Sequence, residues 1–306
     1  VNALDHPTNF ADKLDDAVAR AGNPCIVGLD PHLDALPEDF SRARDPQASR
    51  AERAETVAEF LCAVIEIAAG RVAAVKPQSA FFEMFGADGA HAWERVVSAA
   101  HVAGLLVIGD VKRGDIDSTA RAYARAFLQG VDPRHAHSLC DAITVNPLLG
   151  SDSIQPFLDA CRDHGAGVFV LVRTSNKDSA LFQQHGSPPL YERIADAVVK
   201  WGCELVGERG FSSVGAVVGA THPRELAELR ARMPRTPFLL PGYGAQGAGA
   251  ADIAAGFTSD GRGALVNSSR GVLFAYKQPQ YAGMHWKDAA VRALDAMVRE
   301  VNAVLR

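Results

Sequence analysis

Two acids and a lysine crowd into one short stretch, Asp110, Lys112 and Asp115 in Gly109-Asp110-Val111-Lys112-Arg113-Gly114-Asp115-Ile116. An ammonium held among carboxylates keeps its charge, because each nearby negative group favours the protonated form. So placed, it can stabilise an anion developing on a substrate atom and hand it a proton. The apolar run Leu105-Leu106-Val107-Ile108 before it reads as a buried strand, and Ser118 to Leu128 after it as a helix. Residues two apart on a strand share a face, so Asp110 and Lys112 point into one pocket, with Asp115 in the turn entering the helix. Arg113 and Asp117 read as solvated charges of that turn.

The elements that must position this group recur along the chain. Strands are expected at Cys25 to Asp30, Arg71 to Pro77, Ala142 to Pro147 and Gly167 to Ser175. Others fall at Val214 to Thr221, Phe238 to Gly244 and Gly263 to Arg270. Helical periodicity marks Ala51 to Ala69, Ala87 to Val102, Ser153 to His164, Leu190 to Val206, Pro223 to Arg232 and Lys287 to Leu305. The proline- and charge-rich Pro31 to Ser49 reads as loop. About eight strand–helix pairs fit an α/β fold, either an open doubly wound sheet or a (β/α)8 TIM barrel. The barrel is favoured because polar residues recur at strand ends: Asp30, Lys76, Asp110, Asn146, Ser175, Thr221, Gln246 and Arg270. A closed barrel brings all of them to one rim. Residues 1–306 are therefore expected to form a single barrel domain.

Opposite the charged stretch in sequence lies a glycine-rich turn, Pro241-Gly242-Tyr243-Gly244-Ala245-Gln246-Gly247. Glycines let backbone N–H groups converge on an anion. Ser269 and Arg270 follow the last strand, and the planar guanidinium fork suits phosphate oxygens. The loops after strands seven and eight are the usual phosphate grip of such barrels. Gly242, Gly244 and Gly247 also match a dinucleotide fingerprint, but that pattern stands too late in the chain and no acidic strand end follows at the required distance.

Composition narrows the class. The net charge is −5 with scattered basic residues, unlike the basic stripe of a nucleic-acid binder. No apolar run reaches the ~18 residues of a membrane span, and Val1 to Pro7 lacks the pattern of a signal peptide. The five cysteines are widely spaced, as reduced core thiols of a cytoplasmic protein would be. His135-Ala136-His137 could suggest a metal, but alternate histidines in a polar, proline-containing loop are more often solvated, so no metal is assigned.

With these pieces in place, the chain resembles the orotidine 5′-phosphate decarboxylase family, in particular its longer bacterial subgroup, over nearly its full length. The resemblance rests on Gly109-Asp110-Val111-Lys112-Arg113-Gly114-Asp115-Ile116, on Leu171-Val172-Arg173-Thr174-Ser175-Asn176, on Pro241 to Gly247 and on Thr144-Val145-Asn146-Pro147. It implies a cofactor-independent homodimer that converts orotidine 5′-phosphate to uridine 5′-phosphate in pyrimidine biosynthesis. It further implies that Asp30 and Lys76 bind the ribose hydroxyls, Asp110 faces the scissile carboxylate and Lys112 protonates C6. Asp115, with Thr119, would reach the neighbouring subunit's site. Ser175 would bond the pyrimidine, Gln246 bridge base and phosphate, and Ser269 and Arg270 hold the phosphate. Ala248 stands where the family often has a second glycine.

One unit-charge pair at ~4 Å and an effective dielectric near 20 is worth about 4 kcal/mol, whereas a very slow reaction needs something like 20 kcal/mol of barrier reduction. Lys112 therefore cannot act alone, and phosphate binding and preorganised charge must supply the balance. Two rival readings of the sequence remain. A Mg²⁺-dependent relative acting on phosphorylated sugars would need an acid where the second strand ends in Lys76-Pro77-Gln78. A catalytically silent nucleotide-binding barrel would be expected to have lost one of the charges, yet all are present.

Overall fold

The computed structural model describes residues 7–244 and 249–305. Eight parallel strands close into a barrel in sequence order. They are β1 (Cys25–Leu29), β2 (Ala74–Pro77), β3 (Leu106–Arg113), β4 (Ala142–Val145), β5 (Gly167–Arg173), β6 (Val214–Val218), β7 (Phe238–Leu240) and β8 (Ala264–Ser268). Helices between them form the outer layer, as the alternation in the sequence predicts. Seven strands are shorter than expected. The other, β3, runs on past the apolar residues and carries Asp110 and Lys112 in its carboxyl-terminal half, as expected.

Strand alternation builds the site in two storeys. Each strand contributes one apolar side chain to an inner layer: Ile26, Ala74, Ile108, Ala142, Phe169, Val217, Leu239 and Leu265. Phe10 and Leu14 of the first helix (Phe10–Ala21) plug that layer from below, Phe10 meeting Phe169 edge-on at 6.1 Å. Two residues further along the strands stand Lys76, Asp110, Thr144, Leu171, Pro241 and Asn267, the next inward-facing positions. A second, larger apolar core fills the space between barrel and helices.

Three local expectations are corrected. Pro31 to Ser49 is not plain loop, since it holds two 3-10 turns, Leu33–Ala35 and Glu38–Arg44, tied by Arg44 to the Leu36 carbonyl at 3.0 Å. The helix after β3 runs Asp117–Ala124 and then widens into a π turn, Arg125–Gln129. Arg113 is not a solvated charge: its guanidinium lies 5.5 Å from the Tyr123 and Phe127 ring centres, pairs with Glu83 and donates to the Val111 carbonyl. The flat, weakly hydrated guanidinium can stack on those rings where an ammonium would stay in water.

Candidate active site

Asp110 is the centre of the rim. Its side chain is 11% exposed, and each carboxylate oxygen accepts two hydrogen bonds. Lys76 Nζ reaches Oδ2 at 2.7 Å and Gln78 Nε2 the same atom at 3.0 Å. Lys112 Nζ reaches Oδ1 at 2.5 Å, and the Thr144 hydroxyl donates to it at 3.0 Å. Burial alone would raise the Asp110 pKa, but the two ammonium groups outweigh it and hold the carboxyl well below its usual range. Burial pulls the Lys76 pKa down, and Asp110 and Asp30 overcome that and raise it. Asp110 and Lys76 thus hold each other in their charged forms.

Two cavities open from this cluster. One, of about 460 Å³, is floored by Lys76, Asp110, Lys112 and Thr144 and walled by Leu171 and Ser175. The other, of about 190 Å³, lies between Asp30, Asn267, Ser269 and Arg270. Lys76, Asp110 and Pro241 line both, so the charged cluster and the Arg270 end share a wall. Within the smaller cavity Asp30 Oδ1 and Asn267 Oδ1 are buried with no hydrogen-bond partner among the described residues. Buried acceptors of this kind are normally satisfied, so donors on a ligand have an evident place here.

The backbone makes room at two glycines. A Cβ on Gly28 would collide with the Ser269 hydroxyl, and one on Gly219 would stand 2.9 Å from the Ser175 nitrogen. Larger residues at either position would push the rim apart. The loop that carries Ser175 is anchored on either side of it, at Thr174 and at Ser179. Arg173, 1% exposed, bonds Ser179 Oγ at 2.5 Å and Glu225 Oε2 at 2.5 Å. Gln183 accepts from the Thr174 N–H at 2.9 Å and donates to its hydroxyl at 2.8 Å. A register shift between Leu171 and Arg173 in the β5–β6 pairing accompanies this, leaving Leu171 in the cavity and Arg173 in the buried pair.

Of the residues expected at the site, Asp30, Lys76, Asp110, Lys112, Ser175, Ser269 and Arg270 all line these two cavities. Asp115 and Thr119 line neither. Asp115 is half-buried and takes the Ile116 N–H at 2.8 Å, while Thr119 is exposed on the following helix. Gln246 lies outside the described residues. Gln78 and Thr144 join the cluster without having been assigned a role from sequence. The signal for Thr144 was a lone hydroxyl two residues beyond Ala142 in an apolar strand.

Eight parallel strands with a charged cluster at their carboxyl ends define a (β/α)8-barrel enzyme. The sequence profile of the Orotidine 5'-phosphate decarboxylase / HUMPS family matches residues 23–284, and the chain belongs to that family. It is 42% identical over 299 residues to the orotidine 5'-phosphate decarboxylase of Rhodopirellula baltica, covering 95% of this chain and 98% of that protein. The enzyme of the same name from Deinococcus radiodurans is 43% identical over 267 residues, 87% of this chain and 89% of that protein. Among solved structures, the OMP decarboxylase of Leishmania donovani superposes with a TM-score of 0.73 at 35% identity, covering 97% of this chain and 99% of that one.

Proposed function

We propose that the protein decarboxylates orotidine 5′-phosphate to uridine 5′-phosphate and CO2, in de novo pyrimidine biosynthesis, with Lys112 stabilising and protonating the C6 carbanion. The observation that carries this reading is the wall shared by the two cavities, which puts the Lys76–Asp110–Lys112 cluster beside the Arg270 end. The names of the relatives support the substrate.

In this mechanism the bond from C6 to the carboxylate carbon breaks and its electron pair stays on C6. CO2 departs, and a proton from Lys112 Nζ forms the new C6–H bond, with solvent later restoring the ammonium. Asp110 faces the scissile carboxylate. Its four donors keep it charged and oriented, so the field is set before substrate arrives. Asp30 and Lys76 take the ribose hydroxyls, a role supported by the partnerless Asp30 Oδ1. Ser175 bonds the pyrimidine, and Gln246 spans base and phosphate. The Ser269 backbone and the Arg270 fork grip the phosphate, spending remote binding energy on the reacting end. No metal or organic cofactor enters these steps.

The proposal includes a homodimer in which Asp115 and Thr119 complete the partner's site. Exposed Ile116, Leu148 and Leu149 around the same rim, 54%, 75% and 51% exposed, support a protein-covered surface. It also places the enzyme in the cytoplasm, in keeping with five free cysteines. Among the described residues no helix is long and apolar enough to cross a membrane.

Absorbance of orotidine 5′-phosphate tests the activity directly, since the ring spectrum changes when the carboxylate leaves. Steady conversion is expected; a folded, dimeric sample that leaves the spectrum unchanged would overturn the reading. Full activity after exhaustive chelation is expected as well, and its loss would favour the Mg²⁺-dependent rival.

A further inference from the structure

Lys112 has a left-handed backbone, φ 46°, inside a β-strand. A side chain that is not glycine adopts this conformation only under strain, and the surrounding structure must hold it there. The β3–β4 pairing shifts register between Gly109 and Arg113, so the ladder is interrupted across the residues that carry the cluster. One side chain bridges the interruption. The Thr144 hydroxyl accepts the Lys112 backbone N–H at 2.9 Å and donates to Asp110 Oδ1 at 3.0 Å. Thr144 is 1% exposed, and its Oγ1 has the one proton and the lone pairs that these two bonds use.

We propose that Thr144 is a positioning residue for the reaction, acting through a single hydroxyl that locks the strained Lys112 backbone and the Asp110 carboxylate in one geometry. Its hydroxyl is spent on the Lys112 N–H and on Asp110 Oδ1. The ammonium of Lys112 also binds Asp110 Oδ1, so hydroxyl, carboxylate and side chain close a small ring around the strained residue. Without the hydroxyl, the Lys112 N–H loses its acceptor and the backbone is free to leave the left-handed region. Nζ then shifts relative to the substrate carbon. This inference rests on the decarboxylase reading above, and the test keeps the two apart.

Wild type, Thr144→Val and Thr144→Ser are compared on orotidine 5′-phosphate, and the exchange of the Lys112 backbone amide is followed in the same samples. Valine keeps the shape without the hydroxyl; serine keeps the hydroxyl. The expected result is a kcat about 30-fold or more lower in Thr144→Val with KM within about threefold, since misplacement on the order of 1 Å costs ~10²-fold. Thr144→Ser should return to within about threefold of wild type, and only the valine variant should lose amide protection at Lys112. A valine variant with wild-type kcat, a serine variant no better than valine, or unchanged Lys112 protection would each overturn the inference. Should Thr144→Val fail to fold, Thr144→Ala against Thr144→Ser makes the same comparison. If the wild type does not turn over, the decarboxylase reading fails, and the exchange arm still decides whether the hydroxyl holds Lys112.

Discussion

Arg173 and Glu225 form a nearly buried ion pair, Nε to Oε2 at 2.5 Å, that ties the end of β5 to the helix following β6 (Pro223–Arg232). The arginine side chain is 1% exposed and the glutamate 19%. Removing one partner strands the other charge in a poorly solvated place. Glu225→Ala is expected to lower unfolding stability by about 3 kcal/mol, read as a lower urea midpoint. Because the same guanidinium anchors Ser179, in the loop that carries Ser175, KM should also rise in that variant. A midpoint within error of wild type would mean that the pair contributes little.

Lys112→Ala should fold normally yet lose nearly all turnover. Its side chain is 46% exposed, so little packing is lost with it. The check is kcat beside a thermal melt, with a reduction of about 10³-fold or more expected if Lys112 supplies both field and proton. Substantial activity would remove it from the mechanism.

Arg270→Ala should weaken phosphorylated ligands selectively. Loss of a charge-assisted contact corresponds to about 2 kcal/mol, or roughly 30-fold in Kd. Titration with uridine 5′-phosphate and with uridine separates the cases, because the nucleoside should bind both proteins alike. Equal weakening of the two would contradict the phosphate assignment.

Subunit sharing has its own test. Mixed Asp115→Ala and Lys112→Ala chains should regain activity in hybrid dimers, where one of the two sites recovers both groups. Activity per dimer should approach about a quarter of wild type, from half the dimers being hybrid with one good site each. No recovery despite demonstrated exchange would count against the shared site.

Stability should also respond to pH through His101, whose imidazole bonds Asp141 Oδ2 at 3.1 Å and the His137 carbonyl at 2.9 Å. The Asp141 bond is the main cause of its raised pKa. A group whose folded pKa is raised stabilises fully below its unfolded value, near ~6.5 for histidine. That contribution fades as pH climbs through the folded value. The stability gap between wild type and His101→Gln should therefore be up to about 1 kcal/mol at pH 5.5 and shrink by pH 9. Urea titrations at the two pH values check it, and a gap that widened with pH would reverse the assignment.

Much of this was legible in the chain, because short apolar runs, buried on both faces, and the charges at their ends are local signals. Asp30, Lys76, Asp110, Lys112 and Arg270 all stand at predicted strand ends and all line the rim. What escaped depends on neighbours. Gln78 and Thr144 reach Asp110 only through strand register, which a single strand does not encode. Arg113 reads as solvated until the rings of Tyr123 and Phe127 arrive from the next helix. Arg173 belongs to the strand pattern, yet the register shift beside it separates it from Leu171 and leaves it paired with Glu225.

The eight-residue apolar layer plugged by Phe10 and Leu14 makes the chamber blind-ended. Among the described residues the layer closes the bottom of the barrel, and both cavities lie on its other side, at the strand ends. In the proposed reaction the CO2 freed at the cavity floor therefore leaves by the same end of the barrel as the nucleotide.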